Sequence, residues 1–220
     1  MASLLIFGAG DIAELAQFYF ERDSAHRPAA FVVDGAYLQE TSFKGLPVVA
    51  FEEAARAFPP SAHQAFVALS YAQVNALRAA KCAAMEAAGY ALASYVSSRA
   101  TVFDGFACGP NAFILEDNTI QPFASVGRNV TMWSGNHIGH HAVIEDDVFV
   151  TSHVVVSGGT RVGRGSFLGV NATLRDHITI GERCVVGAGA LILADAEPGG
   201  VYLGNATERS RVPSSRLRRI

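Results

Sequence analysis

Three of the seven histidines fall within five positions, in the segment Trp133-Ser134-Gly135-Asn136-His137-Ile138-Gly139-His140-His141. No other stretch is so dense in side chains that bind ligands or move protons, and an imidazole exchanges its proton near neutral pH, as a general base must. On a helix, His137 and His141 would share a face as metal ligands, but apolar residues here recur every six positions and the segment is not helical. In that register His137, His140 and His141 occupy three different slots, so within one chain they cannot converge on one atom. His141 shares its slot with His153 and His177, where a left-handed turn accounts for all three, and His137 reads as a surface or packing residue. His140, two positions after Ile138, stands at a corner and points outward, where a ligand or another chain can meet it. A second group lies near the start of the chain. Gly8, Gly10 and Ala13 form G-x-G-x-x-A between a strand and a helix, and Asp34 ends the next strand. Such glycines admit a phosphate to the helix N-terminus while the carboxylate takes ribose hydroxyls; a tight turn without a ligand is the alternative. Ser70 and Tyr71 follow a later strand and are expected to line the same crevice.

The elements that must hold these residues differ between the two halves. From residue 3 to about 96, short apolar runs (SLLIF, AAFVVD, HQAFVAL, YALASYV) alternate with helical patterns (AELAQFYFER, EEAARAF, AQVNALRAAKCAAMEAAG). This predicts parallel βαβ units, a small Rossmann-like domain over residues 1–98. Leu77, Ala80, Ala84 and Ala88 make a small apolar stripe on the longest helix, suited to covering a sheet. The domain has too few strands for a whole Rossmann oxidoreductase, which favours a nucleotide-linked sugar over NAD.

After Ser98 the period becomes six. Stepping by six from Val102 to Ile192 meets an apolar residue at all 16 positions, where background usage is near one half, and the series stops at Pro198. The slot three after each aliphatic is Gly, Asn or Asp in 11 of 16 repeats and His in three more, the residues that tolerate positive φ at least cost. The slot four after it is Ala, Val, Ser, Thr or Cys in 12 of 16 repeats, as a narrow interior requires. A short strand and a left-handed turn, repeated every six residues, describe the corner of a prism. Its coils must stack at about 4.8 Å each to bury their apolar edges. A parallel β-helix is therefore expected over residues 99–204, followed by a tail over 205–220.

Composition excludes several function classes. With 17 Lys+Arg against 20 Asp+Glu and basic residues concentrated only at the end, there is no footprint for nucleic acid. Apolar runs fall short of the roughly 20 residues a membrane crossing needs. The start of the chain has no signal-peptide pattern, and Cys82, Cys108 and Cys184 are widely spaced, without the pairing of a zinc site, so a reducing, cytoplasmic location is expected.

The string Ile138-Gly-His140-His141-Ala-Val-Ile144-Glu145-Asp146, with Gly8-Ala9-Gly10-Asp11, Val33-Asp34, Gly45-Leu-Pro47 and Val201-Tyr-Leu-Gly204-Asn, resembles the NeuD/PglD/PerB family of hexapeptide-repeat sugar acyltransferases over nearly the whole chain. The resemblance implies a left-handed β-helix of 18-residue coils, a homotrimer with sites shared between chains, and acetyl-CoA as co-substrate without a metal. It also implies a nucleotide-linked amino sugar as acceptor, bound by the N-terminal domain through Gly8, Gly10, Asp11 and Asp34. His140 matches the family's general base, whereas His141 replaces the acid that usually follows it. Trp133 stands where an Asn is frequent and, with Asn136, is placed on the substrate side. One 18-residue coil after His140 comes Gly158, whose N–H matches the family's oxyanion donor. Val170, Ala188 and Gly189 match the path of the pantetheine arm, and Arg211, Arg216, Arg218 and Arg219 are candidates to meet CoA phosphates, with a solvated basic tail as the alternative. Three other readings remain open at this stage. One is an O-acetyltransferase using the same base. Another is a γ-class carbonic anhydrase-like zinc enzyme, for which His141 and His177 share a slot two coils apart but Glu182 stands in place of a third His. The last is a binding module without turnover.

Overall fold

The computed structural model describes residues 2–209 and 211–216. The first half is a five-stranded sheet of β1 (Ala2–Phe7), β2 (His26–Val33), β3 (Ser42–Phe43), β4 (Leu46–Ala50) and β5 (His63–Val67), ordered β3-β4-β2-β1-β5 and parallel except for edge strand β3. The period of two along β1 divides the packing between its faces. Leu4 and Ile6 join Ala13, Ala16 and Phe20 of α1 (Asp11–Arg22) on one side. Leu5 and Phe7 join Ala54 of α2 (Phe51–Ala57) and Cys82 and Met85 of α3 (Ala76–Ala87) on the other.

The α3 stripe differs from the expected one. Arg78, Cys82 and Met85 are the buried positions, and Leu77 and Ala80 are exposed. The helix also begins later than its apolar pattern does, because Gln73, Val74 and Asn75 all have positive φ. The cause is tertiary. The buried Asn75 amide donates to the carbonyls of Gly165 (2.9 Å) and Ser166 (3.2 Å). The Arg78 guanidinium donates to Thr131 Oγ1 and to the Asp147 carbonyl (3.0 Å) and lies over the Phe149 ring. One turn of α3 is therefore turned away from its own sheet and onto the second half of the molecule.

That second half is a three-sided prism of two-residue strands. Face I contains Tyr95–Val96, Phe113–Ile114, Thr131–Met132, Phe149–Val150, Phe167–Leu168, Val185–Val186 and Val201–Tyr202. Face II contains Thr119–Ile120, His137–Ile138, Val155–Val156, Thr173–Leu174 and Leu191–Ile192, and face III Ser125–Val126, Val143–Ile144, Arg161–Val162 and Thr179–Ile180. Pairing is parallel with an 18-residue step, as in Thr131↔Phe149, His137↔Val155 and Val143↔Arg161. From Ile114 to Ile192 all 14 aliphatic positions of the six-residue series are buried, each contributing on the order of 1.5–3 kcal/mol of apolar burial. Only Val102 and Cys108, on the first coil, are not. In the turn slot every residue from Gly105 to Gly189 has φ between 53° and 85°.

Strand Tyr95–Val96 lies inside residues 1–98 yet forms the first rung of face I, so the halves share a sheet. The N-terminal domain rests on that face. Tyr19 and Phe66 pack on Phe113, Tyr71 packs on Phe149 and Phe167, and Asn111 bonds both the N–H and the carbonyl of Val67.

Candidate active site

His140 stands at the vertex between faces II and III, exposed, on the turn that follows His137–Ile138. Its backbone N–H donates to Gln121 Oε1 at 2.9 Å, one coil earlier. Its Nδ1 lies 3.1 Å from Nδ1 of His141, so one ring carries the proton between them. His141 has φ 60°, and this left-handed turn swings its ring back beside that of its neighbour. The position after His140 is thus filled by an imidazole that reaches the His140 ring. With Nδ1 engaged, Nε2 of His140 is the nitrogen left for a substrate proton.

Gly158 sits one coil after His140, as the 18-residue step requires. A Cβ built on it would lie 2.7 Å from both Cε1 and Nε2 of His140, so the imidazole rests directly over this bare position. Among the described residues the Gly158 N–H donates to no other group, whereas Gly159 N–H is used by the His140 carbonyl at 2.9 Å. Gly159 has φ 67° and serves the turn. An unshielded imidazole nitrogen beside an undonated backbone N–H can accept a proton and stabilise a developing oxyanion within one site.

The N-terminal crevice is built differently. Gly8 has φ 123°, and a Cβ there would lie 2.8 Å from the Ala68 carbonyl oxygen, so the turn itself demands glycine. Gly10 has nothing within 4 Å of a built Cβ, and together with exposed Ala9 and Asp11 it opens the N-terminus of α1 to solvent. A cavity of about 290 Å³ beside this loop is lined by Ala9, Val33, Tyr37, Gln39, Glu40 and Phe43, among others. The Asp34 carboxylate accepts from Lys81 Nζ at 2.6 Å, so a ribose would share it with an ammonium. Ser70 is exposed, while the Tyr71 ring, 4.7 Å from that of Phe167 between centroids, is turned onto face I and away from the crevice.

Trp133, Val170, Ala188 and Gly189 all lie at the vertex between faces I and II, across face II from His140. Val170, Ala188 and Gly189 are exposed there. Trp133 is half-buried against the N-terminal core. Asn136 is out of a ligand's reach: it is buried, its amide donates to Asn118 Oδ1 (2.9 Å) and its carbonyl oxygen accepts from Val154 N–H (2.7 Å). The physical reason is its slot, which points into the prism, so the amide ladders with Asn118 one coil below. Beside Trp133, Glu116 accepts from Tyr19 (2.8 Å) and Ser134 (2.9 Å); burial, then the Glu116 bond, push the Tyr19 phenol up to about 12, so it remains a donor. The thiols of Cys82 and Cys108 are poor nucleophiles, since burial pushes Cys82 up to about 12 and raises Cys108. Among the described residues no group of three or more His, Cys, Asp or Glu is placed to hold a metal ion, and no helix is long and apolar enough to cross a membrane. Arg211 and Arg216 are exposed, and Arg218 and Arg219 lie outside the described residues.

One relation organises these parts. Every contact of the N-terminal domain described above is to face I or its two flanking vertices, and His140 stands at the vertex opposite that face.

Residues 159–194 match the family model described as bacterial transferase hexapeptide (six repeats). No curated protein sequence matches the chain. Among solved structures, a histidine-to-asparagine mutant of perosamine N-acetyltransferase from Caulobacter crescentus, in complex with CoA and GDP-perosamine, is similar with a TM-score of 0.83 at 22% identity, covering 93% of this chain and 94% of that one. The acetyltransferase domain of PglB from Neisseria gonorrhoeae FA1090, in complex with acetyl coenzyme A, gives 0.77 at 22%, covering 92% and 96%. WeeI from Acinetobacter baumannii AYE gives 0.79 at 18%, covering 93% and 97%. This chain has the fold of those proteins. The left-handed β-helix behind a Rossmann-like domain is thereby its architecture over nearly the full length.

Sequence reasoning missed Gln121, Phe123 and Lys81. Phe123 sits 18 residues before His141, so stepping back one coil finds it as readily as stepping forward finds Gly158, whereas the same step from His140 reaches Pro122, and Gln121 lies 19 residues before it. Lys81 has no such signal, since its reach from α3 to Asp34 depends on how the helix lies on the sheet.

Proposed function

We propose that the protein is an acetyl-CoA-dependent acetyltransferase acting on the amine of a nucleotide-linked amino sugar, with His140 as general base. The observation that carries this reading is the imidazole of His140 lying over Gly158, whose N–H is undonated. The sugar amine attacks the thioester carbonyl carbon, and its proton passes to Nε2 of His140. The Gly158 N–H stabilises the oxygen that gains charge. Collapse of the tetrahedral intermediate breaks the carbon–sulfur bond, and the departing CoA sulfur takes the proton back from His140. Relatives of the same fold, crystallised with CoA and GDP-perosamine or with acetyl coenzyme A, support both substrate classes. His141, by holding Nδ1 of His140, keeps the ring's orientation.

In this reading the working unit is a homotrimer. A crevice in the domain that rests on face I and a base on the opposite vertex are brought together by placing the vertex of one chain against the crevice of the next. Face II supports such contact, with a half-buried strip of Thr119, His137, Val155 and Thr173 ending at exposed Leu191. Val170, Ala188 and Gly189 at its other edge then border the neighbour's His140 and supply a groove for pantetheine.

The test is thiol release from acetyl-CoA with UDP-, GDP- and dTDP-linked amino sugars. Turnover with at least one is expected. Turnover only with hydroxyl sugars would make the protein an O-acetyltransferase, and none with any acceptor would overturn acetyl transfer.

A further inference from the structure

Phe123 occupies the left-handed turn slot with φ 68°, the one aromatic in a slot otherwise filled almost entirely by Gly, Asn, Asp and His. A bulky residue at positive φ is an outlier that must be sustained by something else. Packing does not sustain it, because the residue is 78% exposed and its one ring contact among the described residues is His141, 4.8 Å away between centroids and tilted by 37°. Beside it lies a cavity of about 320 Å³ walled by Phe103, Phe106, Gln121, Pro122, Phe123 and Ala124, among others. Asp104 and Ser125 add polar groups to this lining, and Gln121 is also the residue that holds the His140 N–H, so the wall runs up to the base. Phe103, half exposed, adds a second ring to its rim.

We propose that Phe123 is a specificity-determining platform for the acceptor, its ring face receiving the apolar C–H face of the amino sugar beside His140. The assignment rests on the acetyl-transfer reading, which sets its direction. The oxyanion donor Gly158 lies one coil after His140, and the residues bordering the pantetheine groove lie on that coil's successors. The donor therefore approaches from the C-terminal coils, and the coil before His140 is left to the acceptor. A pyranose laid on an exposed ring removes apolar surface of both from water.

Phe123→Asn tests the assignment, since Asn occupies the same slot at positions 111, 129 and 171 with φ 53–59°. Relief of the turn should raise Tm by about 3 °C. Loss of one aromatic contact should raise KM for the nucleotide-linked amino sugar about tenfold. The KM for acetyl-CoA and the affinity for the nucleoside diphosphate alone should not change, and Phe123→Tyr should restore the wild-type KM. A sugar-nucleotide KM within about twofold of wild type overturns the proposal, with the scale set by a single contact. So does a fall in oligomer mass by sedimentation, which would make Phe123 a subunit contact. Calorimetric binding of the UDP-, GDP- and dTDP-linked amino sugars to wild type and Phe123→Asn separates the two ideas. Binding that weakens in the variant, without thiol release by the wild type, sinks acetyl transfer and keeps the platform. No binding of any of the three sinks both.

Discussion

The N-terminal crevice and the His140 vertex both depend on glycine, for unlike reasons. In the crevice, the Cβ missing from Gly8 would strike the backbone of Ala68, so that glycine belongs to the fold. Two residues on, the Cβ missing from Gly10 would strike nothing, so its bareness keeps a helix N-terminus open. At the vertex the Cβ missing from Gly158 would strike the His140 imidazole, and the vacancy is filled by a side chain able to do chemistry. What an absent Cβ would have touched thus separates a glycine of the turn from a glycine of the site.

The largest effect should come from removing the ring that rests on Gly158. His140→Asn is expected to lower kcat/KM by at least about 100-fold in the thiol-release assay, with the fold unchanged by circular dichroism; a loss under about threefold ends its assignment as base. Gly158→Ala is next. The backbone at 158 is not left-handed, so the new methyl strains only the imidazole it displaces. A kcat lower by roughly 10-fold, with Tm little altered, is expected from this misplacement; unchanged kcat would mean the ring over Gly158 is not the working arrangement. The smallest effect distinguishes the crevice glycines. Gly10→Leu should keep Tm and raise KM for the nucleotide-linked sugar about fivefold by filling open space. Gly8→Ala should instead destabilise the N-terminal domain by about 1–3 kcal/mol. Equal loss of stability in both would erase the distinction.

The β-helix was legible because each coil repeats the last: one run of aliphatic positions and one turn slot determine 14 buried positions and the juxtaposition of His140 with Gly158. The N-terminal elements were legible from their alternating periods, but the buried face of α3 was not. Burial of Arg78 depends on Thr131 and Asp147 arriving from another domain, which no local period records. Asn136 was misplaced for a related reason. Asn at a turn reads as polar surface, and only its slot, pointing inward against Asn118, shows that its amide bonds are used within the coil. The His140–His141 contact lay between these cases. The departure from the family's acid was visible as a letter, while the 3.1 Å approach of the two Nδ1 atoms needed the left-handed turn to be built.

Mixed trimers test the central claim, that crevice and base come from different chains, most directly. His140→Asn lacks the base but keeps its crevice, and Gly10→Leu with Asp34→Ala has an impaired crevice but keeps its base. Each is measured alone and after joint refolding at equal amounts. If the site is shared, the mixture should regain about a quarter of wild-type activity, the statistical share of sites pairing an intact vertex with an intact crevice. A mixture no more active than the average of its two components, with mixed trimers confirmed by mass, would place both parts of the site in one chain and contradict the account.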